Sequence, residues 1–467
     1  MSAQGEFAFG QSGADADLLT RLLEKADRVL VKKLSNNDRN WARYRVDPDT
    51  GELNRKRRMN NQAGPYVPVE ERDSGFFPAL ELMERGSEED AEIWHVYFYT
   101  VWPQSNGVRK KSRLVHYTSK SSETHLTGVP RDLFADLLPA SFMVMGRTKR
   151  GDDWEYECLT LESGRDEAAL LADLLNLDPD FLIGIFEPAE RKSAELDRIM
   201  DFAEQVIAAW LAGDIAGFAN NSAAMPPTLD LAALARKSFL EKYGLERIDP
   251  FTIEAPGDAL REISRKIEWD LFREYQRRER SVELIRMVMG DKPVEVSASG
   301  VIRKLIDELP AIDALMLSAS QQRKSRAGYS YEHHIEAMLN DGNIPFEKQV
   351  ILVSKKRPDF ILPSLAFIDS KKDGSESGLI LSAKTTLRER WKQVEREMEG
   401  RRLFLTTVDE NIASSAIEDM ASFGVHLVIP ESLRKSKETE YEGHENVLSF
   451  REFCDVVIQP NLVSWRQ

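Results

Sequence analysis

Cysteine is nearly absent from this sequence, and long apolar runs are missing altogether. Only Cys158 and Cys454 occur in 467 residues, so neither a disulfide framework nor a cysteine-based zinc site is expected. No apolar run approaches the ~18 residues that a membrane span requires. The first residues also lack the basic and then apolar pattern of a signal peptide. These features predict a cytoplasmic protein without a membrane partner.

The sequence also lacks an excess of basic charge, since its net charge is −15 and its pI is near 5.2. This balance argues at first against a nucleic-acid partner, but DNA binding follows clustered Lys and Arg rather than net charge. Any single cluster is explained equally well as solvated surface. The clusters at 355–357 and 388–390 are more informative because each borders a candidate catalytic residue. Basic clusters occur at 109–113, 277–280, 323–326, 355–357 and 388–390.

The apolar pattern changes along the chain in a way that predicts separate domains. Strand-like segments dominate up to about residue 185, whereas the pattern from about 165 to 212 has a helical period. Small residues and a double proline at 213–227 predict a linker. We therefore expect a β-rich domain at 1–185, a helical connector and linker at 186–240, and a third region at 241–467.

Strands and helices alternate in the C-terminal region. The alternation predicts a mixed α/β sheet flanked by helices. Predicted helices lie near 330–341, 388–400 and 411–422. Predicted strands lie at 349–353, 360–362, 379–383, 403–406 and 426–429.

Two residues at predicted strand ends suit phosphodiester hydrolysis. Asp359 follows Pro358, which favours an extended backbone, and Lys384 ends the apolar segment 379–383. Magnesium held by one or two carboxylates relieves charge on a phosphate. A neighbouring lysine positions the attacking water and balances developing charge. The pair predicts a Mg²⁺-dependent nuclease site.

Further carboxylates are needed because nucleases of the PD-(D/E)xK type usually carry an acid two residues before the lysine, where this chain has Ser382. Glu397 on the following helix and Glu332 on the preceding helix could each supply one. Either could equally be a surface charge on its helix. His333 and His334 face different directions on a helix, so we interpret them as structural or phosphate-facing and not as a zinc site.

Two groups of residues are suited to reading DNA bases. Arg388, Glu389 and Arg390 begin a predicted helix, and arginine and carboxylate side chains address guanine and cytosine edges respectively. Arg265 and Trp269 are four residues apart and share a helix face, where they could sandwich an extruded base. A tryptophan packed in the core under an arginine is the simpler alternative for this second pair.

At these residues the chain resembles EcoRII-type restriction endonucleases. The resemblance covers most of the chain beyond about residue 240. The N-terminal part is more loosely similar to the effector domain of that family, a B3-like pseudobarrel, through 31–38 and 64–68. The C-terminal similarity lies in 323–328, 357–360, 383–393 and 424–433.

The resemblance implies roles for the candidate residues. It makes Glu332, Asp359, Lys384 and Glu397 the Mg²⁺-dependent catalytic set, with Asp359 and Glu397 as the metal ligands, and the family tolerates a small residue at Ser382. It assigns the reading of bases at a CCGG-like or CC-N-GG site to Arg388, Glu389 and Arg390. It places a pocket for a flipped central base at Arg265 and Trp269. In the effector domain it implies DNA contacts by Tyr66, Arg109, Lys111 and Arg113.

The resemblance also implies partners and regulation. The implied partners are double-stranded DNA, a second copy of the chain that forms a homodimer through the catalytic domain, and a cognate cytosine methyltransferase. The implied regulation is activation by a second DNA site and an N-terminal domain that can cover the catalytic cleft. The sequence thus predicts a type II restriction endonuclease. A non-catalytic sequence-specific DNA-binding protein, a structure-specific repair nuclease and a protein-interaction scaffold stay open as alternatives.

Overall fold

The structure of the chain, a computed structural model, divides into two compact units. The first contains Met1–Ala194 together with Glu410–Ser414 and Ser436–Glu442, and the second contains Glu195–Asp409, Ser415–Lys435 and Gly443–Gln467. The residues that the structure describes are 12–46, 53–60, 62–83, 92–120, 123–151, 153–348, 350–351, 357–370, 378–387 and 402–466.

The first unit is rich in strands. Its helices are α1 (Ser12–Lys25), α2 (Asn36–Asn40), α3 (Val69–Asp73), α4 (Asp132–Ala135) and α5 (Asp166–Leu175). Its strands are β1 (Arg28–Lys33), β2 (Tyr44–Val46), β3 (Leu53–Arg58), β4 (Tyr66–Val67), β5 (Glu81–Leu82), β6 (Ile93–Trp102), β7 (Val108–Tyr117), β8 (Thr124–Thr127), β9 (Phe142–Arg150), β10 (Asp153–Leu161) and β11 (Ile183–Phe186).

A nine-stranded sheet forms the centre of the first unit, in the order β11-β1-β9-β10-β6-β7-β8-β4, with β5 paired to β6. Only β10 and β6 pair in parallel; the other pairs within this sheet are antiparallel. Successive residues of a strand point to opposite faces. Accordingly Val29 and Val31 of β1 enter one buried cluster, which includes residues of α1 and α5, and Leu30 enters another on the opposite face.

Two short segments from late in the chain are integrated into this first unit. Arg39 of α2 is fully buried, and its Nη2 donates to Glu440 Oε1 at 2.7 Å. Burial lowers the pKa of Arg39, and the hydrogen bond to Glu440 opposes that effect. The Asn36 backbone N–H donates to Lys437 O at 2.7 Å. A buried guanidinium without its carboxylate is costly, so Glu440 is expected to stabilise the unit.

Glu440→Ala should lower the free energy of unfolding of the first unit by about 3–5 kcal/mol, because it leaves the buried charge of Arg39 unpaired. Hydrogen exchange of amides in α2, followed by mass spectrometry on the intact chain, measures the change locally. The control is Lys304→Ala, which removes an exposed pair with Glu308 and should cost less than about 1 kcal/mol. Equal protection of α2 in wild type and Glu440→Ala would contradict the prediction.

Helices dominate the second unit and surround its sheet. Its helices are α6 (Pro188–Leu211, which begins in the first unit), α7 (Ile215–Phe218), α8 (Thr228–Tyr243), α9 (Pro256–Glu262), α10 (Glu268–Met289), α11 (Ala298–Asp307), α12 (Leu309–Asp341), α13 (Leu365–Ser370), α14 (Ser414–Ser422), α15 (Glu431–Arg434), α16 (Phe450–Glu452) and α17 (Leu462–Trp465). Its strands are β12 (Glu347–Lys348), β13 (Phe360–Leu362), β14 (Leu379–Ala383), β15 (Arg402–Thr406), β16 (Val425–Ile429) and β17 (Val447–Ser449). Turns of π-helix lie at Ala219–Ala223, Ile263–Ile267 and Phe453–Ile458.

The six strands of the second unit run in the order β12-β13-β14-β15-β16-β17. β12, β13 and β14 pair antiparallel, whereas β14 to β17 pair in parallel. Every residue of β14 is buried, as expected for a central strand covered on both faces. Tyr331, Ile335 and Met338 of α12 pack into the same apolar cluster as Leu381. The predicted fold class, a mixed sheet flanked by helices after a β-rich domain, is confirmed.

Some elements differ from the sequence-based expectation. The helix predicted at 330–341 is only the end of α12, which begins at Leu309. The segment predicted as a linker contains α7 and a π-helical turn. The helix predicted at 388–400 and most of the strand predicted at 349–353 lie outside the described residues. Among the residues that are described, no helix is long and apolar enough to cross a bilayer.

Candidate active site

Asp359 and Lys384 meet at one edge of the second sheet. Phe360 is opposite Leu381 in the antiparallel pair β13–β14, so the residue before β13 lies beside the end of β14. Asp359 Oδ2 accepts hydrogen bonds from the Lys384 ammonium at 2.7 Å and from the Ala383 backbone N–H at 2.8 Å. The two residues selected from the sequence are therefore in direct contact.

The backbone of Lys384 is held by the neighbouring strand. Its N–H donates to Thr406 O at 3.0 Å, which continues the parallel ladder of β14 and β15 by one residue. The Thr406 hydroxyl lies 2.8 Å from the hydroxyl of the buried Tyr331 on α12. These contacts fix the position of the lysine backbone relative to both β15 and α12.

Glu332 of α12 faces the same site. Burial and, after it, the negative charge of Asp359 raise its pKa to about 7, although Lys384 and Lys348 act in the opposite direction. Charges act on one another in this way only when they are close. Glu332 is therefore within electrostatic range of Asp359 and Lys384.

Glu336 extends the charged face of α12 one turn beyond Glu332. Its carboxylate pairs with Lys348 Nζ at 2.5 Å and lies 3.7 Å from His333 Nδ1. Residues four apart on a helix are neighbours, and Glu336 is among the charges that raise the pKa of Glu332. Glu336 is therefore a further carboxylate near Glu332, with its own partner in Lys348.

Other predicted members of the site lie outside the described residues. These are Glu397 and the base-reading triplet Arg388, Glu389 and Arg390. Within the part of the chain that is described, no group of three or more His, Cys, Asp or Glu side chains could hold a metal ion. Ser382, where related nucleases carry an acid, is buried in β14. The described carboxylates available to a cation at this edge are those of Glu332 and Asp359.

Arg265 and Trp269 lie next to a local irregularity in the second unit. A π-helical turn at Ile263–Ile267 contains Arg265, and α10 begins directly after it. Arg265 is exposed and Trp269 is half-buried, with its ring stacked on Phe272 at 5.7 Å between centroids. Single π-turns within α-helices are frequent at functional sites. The half-exposed indole is available for stacking, and its role in a base pocket stays a prediction.

Three of the four residues predicted to contact DNA in the first unit share one face of β7. Arg109, Lys111 and Arg113 alternate along the strand, and Tyr97 and Tyr99 of β6 lie opposite Arg113 and Lys111. The Arg109 guanidinium lies 3.6 Å from the Tyr99 ring centroid, and Lys111 Nζ lies 4.6 Å from that of Tyr97. Both tyrosines are exposed. They were missed in the sequence, although their alternation in 93–102 is a recognisable signal.

The four residues predicted to contact DNA in the first unit differ in their ion-pair partners and in their positions in the sheet. Arg109 also pairs with Glu155 at 2.7 Å, and Arg113 Nε donates to His95 Nδ1 at 3.0 Å. Tyr66, the fourth predicted residue, is on β4, two strands away from β7. The Lys32 ammonium lies 5.2 Å from its ring centroid. The structure therefore groups Arg109, Lys111 and Arg113 but not Tyr66.

Comparison with known proteins connects this geometry to a family. Residues 295–454, which include Glu332, Asp359 and Lys384, match the family model described as EcoRII C terminal. This segment is therefore similar to the C-terminal domain of EcoRII. The match covers about a third of the chain, and it includes α12 and the strands that carry the site.

Two curated relatives and one solved structure extend the comparison. The chain is 34% identical over 143 residues to the type II restriction enzyme EcoRII of Escherichia coli, covering 30% of this chain and 35% of EcoRII. It is 25% identical over 239 residues to the type II restriction enzyme SsoII of Shigella sonnei, covering 49% of this chain and 76% of SsoII. Metal-depleted Ecl18kI in complex with uncleaved, modified DNA is similar with a TM-score of 0.45 and 23% identity, covering 55% of this chain and 86% of that one. The matched part thus spans only about a third of EcoRII.

Replacing Glu332 by Gln should stabilise the metal-free protein at alkaline pH. The folded protein holds the Glu332 proton up to a pH of about 7, compared with 4.5 for an ordinary glutamate. Ionisation therefore destabilises the folded state increasingly as the pH rises from about 5 through 7. Glu332→Gln removes this effect, so its Tm should exceed that of wild type at pH 8, and the difference should vanish near pH 5.

Thermal unfolding in the presence of EDTA at pH 5 and pH 8 tests this directly. Glu241→Gln is the control because Glu241 is an exposed acid on α8, and its substitution should leave the Tm unchanged at both values of pH. A Glu332→Gln Tm equal to or below that of wild type at pH 8 would refute the expected destabilisation.

Proposed function

We propose that the chain is a type II site-specific deoxyribonuclease that cleaves duplex DNA at a short CC(N)GG-like site. The observation that carries the proposal is the 2.7 Å contact between Lys384 and Asp359 within a segment that matches the EcoRII C terminal family. An acid and an ammonium at one sheet edge supply what phosphodiester hydrolysis needs: a cation ligand and a positive charge beside the scissile phosphate.

We propose Mg²⁺ as the cofactor, with Asp359 and Glu397 as ligands and Glu332 supporting the metal or the lysine. The donor set fits a hard cation, since Asp359 and Glu332 offer carboxylate oxygens. Burial and, after it, the charge of Asp359 raise the pKa of Glu332, and a divalent cation beside it would favour the ionised carboxylate. When bound, the ion would withdraw charge from the phosphoryl oxygens and lower the pKa of a water molecule.

Lys384 has the donors to act on both water and phosphate. An ammonium has three N–H groups, and the contact with Asp359 accounts for one of them. The other two can orient the attacking water and a phosphoryl oxygen. The Ala383 N–H holds Asp359 in place, so that the carboxylate does not follow the lysine when the lysine engages DNA.

Lys384→Ala and Asp359→Ala should each abolish cleavage and leave specific DNA binding largely intact. Loss of one electrostatic contribution to the transition state costs about 10²–10³-fold in rate, and loss of a ligand or of the water-positioning group should cost at least that much. Single-turnover cleavage of plasmid DNA and gel-shift binding of a CC(N)GG oligonucleotide are the measurements. Lys242→Ala, which removes an exposed pair with Glu262 in the same unit, is the control.

The same assays separate the rival functions. A non-catalytic DNA-binding protein would bind the oligonucleotide and never nick the plasmid in the presence of Mg²⁺. A structure-specific repair nuclease would cut mismatched or branched DNA without producing discrete fragments from intact DNA. A protein-interaction scaffold would bind no DNA and show no salt-dependent affinity. Wild-type rates in Lys384→Ala or Asp359→Ala would remove the mechanism itself.

We further propose that Arg265 and Trp269 hold a flipped central base. Stacking of a base on an aromatic side chain contributes about 1–3 kcal/mol, so Trp269→Ala should weaken binding of the site by about 10-fold or more. Flipping costs less at a mismatch. Wild type should therefore prefer DNA with a mispaired centre, and Trp269→Ala and Arg265→Ala should lose that preference.

Competition binding with paired and mispaired oligonucleotides measures both effects. Trp269→Phe retains an aromatic ring and should retain the preference, and Arg278→Ala, a partly exposed arginine on the same helix, should behave as wild type. An unchanged mismatch preference in Trp269→Ala would exclude the base pocket.

We propose, second, that the first unit binds an additional DNA site and activates cleavage. The proposal is supported by the face of the first unit that contains Arg109, Lys111, Arg113, Tyr97 and Tyr99. Cations held over aromatic rings suit the phosphates and bases of DNA. The proposed restriction function also implies a cytoplasmic location. It implies a cognate cytosine methyltransferase as well, because the host DNA must be protected from cleavage.

We also propose a homodimer through the second unit. The side chains of Ile302 and Ile306 on α11 are more than half exposed, and residues four apart lie on one face of a helix. Two copies of α11 packed antiparallel would bury these isoleucines against each other in an isologous interface.

A further inference from the structure

A buried carboxylate outside the Asp359–Lys384 pair joins two helices of the second unit. Glu268, the first residue of α10, is only 6% exposed. Its Oε2 lies 2.5 Å from His334 Nε2, and its Oε1 accepts a hydrogen bond from the hydroxyl of Ser330. We call these three residues the Glu268 clasp.

The three side chains of the clasp are buried, and Glu268 is hydrogen-bonded to both of the others. Ser330 and His334 are 3% and 2% exposed, so all three polar groups are removed from water. An ionised carboxylate only accepts hydrogen bonds, so His334 donates through Nε2. A buried charge is tolerated only when it is paired and hydrogen-bonded. Arg326 adds a favourable charge interaction with Glu268.

The two partners of Glu268 fix the rotation of α12 about its axis. Ser330 and His334 are four residues apart and therefore lie on one face. Glu332, midway between them, points to the opposite face because two residues advance a helix by about 200°. A rotation of α12 by about 10° would move a side chain at a radius of roughly 5 Å by about 1 Å. The clasp thus controls where Glu332 stands relative to Asp359 and Lys384.

The other end of the clasp belongs to the segment that carries the proposed base pocket. Glu268 directly follows the π-helical turn that contains Arg265 and directly precedes Trp269. A displacement of this segment when a base enters would act on α12 through Glu268, because the clasp is a short, buried contact between the two helices.

We propose that Glu268 is a positioning residue that sets Glu332 in the active site and couples it to Arg265 and Trp269. This inference rests on the proposed function of the site. Glu268 touches neither substrate nor metal, and it acts through Ser330 and His334. A buried pair with a merely structural role would lower stability without lowering the rate of the chemical step at saturating enzyme.

The test uses the full chain in single-turnover cleavage at saturating enzyme, with binding measured separately. Misplacement of a catalytic group by about 1 Å lowers the rate on the order of 100-fold. Glu268→Ala should therefore cleave about 100-fold more slowly than wild type. Its Kd for the cognate oligonucleotide should change by less than about 3-fold. Glu268→Gln should recover most of the rate, because its amide oxygen accepts from Ser330 and its amide nitrogen donates to the other tautomer of His334.

A control and a double substitution sharpen the test. Asp341 ends the same helix α12 and pairs with Arg236, so Asp341→Asn disturbs α12 far from the site and should leave the rate per folded molecule unchanged. If Glu268 transmits the state of the base pocket, Trp269→Ala should reduce the cleavage rate much less in Glu268→Ala than in wild type, because coupled residues are non-additive.

The outcomes separate this inference from the proposed function. Should wild type fail to cleave DNA, the proposed function fails and this inference fails with it. If wild type cleaves and Glu268→Ala cleaves equally fast, or if Asp341→Asn slows cleavage as much, only the positioning role is overturned. Should Glu268→Ala not fold, Ser330→Ala decides the question, since it retains the contact with His334 and should slow cleavage by about 10-fold while leaving binding intact.

Discussion

The contact between Asp359 and Lys384 depends on the register of β13 against β14. Phe360 and Leu362 are opposite Leu381 and Leu379, and all four side chains enter one apolar core. A slip of one residue would turn this apolar set to the other face of the sheet, and it would move Asp359 away from Lys384. The core that stabilises the unit is therefore also what assembles the candidate active site, so packing and chemistry cannot be varied independently here.

The sequence was sufficient to select Asp359 and Lys384 because Asp359 directly precedes an apolar strand and Lys384 directly follows one. Such strand ends are signalled locally by proline and by the end of an apolar run. It was insufficient for the Glu268 clasp, whose partners are more than sixty residues away in the chain. The sequence also gave no indication of the pair between Glu440 and Arg39, which are 401 residues apart. Local pattern encodes elements, whereas contacts between distant polar residues depend on the tertiary packing that brings the elements together.

The net charge of −15 is compatible with DNA binding because the charges are sorted locally. On β7, the side chains of Arg109, Lys111 and Arg113 lie near the tyrosine rings of β6, which orders these cations without neutralising them. Arg109 is the exception, since Glu155 already balances its charge. Lys111 therefore contributes more free positive charge to this face than Arg109 does, a distinction that basic-residue counts in the sequence do not make.

Two glutamates on opposite sides of α12 differ in a way that indicates their tasks. Glu268 is buried and has two hydrogen-bond partners, so it forms a fixed contact between α10 and α12. Glu332 is half-buried, and burial together with the charge of Asp359 raises its pKa to about 7, so its ionised form is disfavoured in the free protein. A carboxylate left in this condition favours an external cation, and the energy lost by the free protein is regained when that cation binds. Glu268 on one side of α12 thus fixes the position of the helix, whereas Glu332 on the other side is suited to binding a cation.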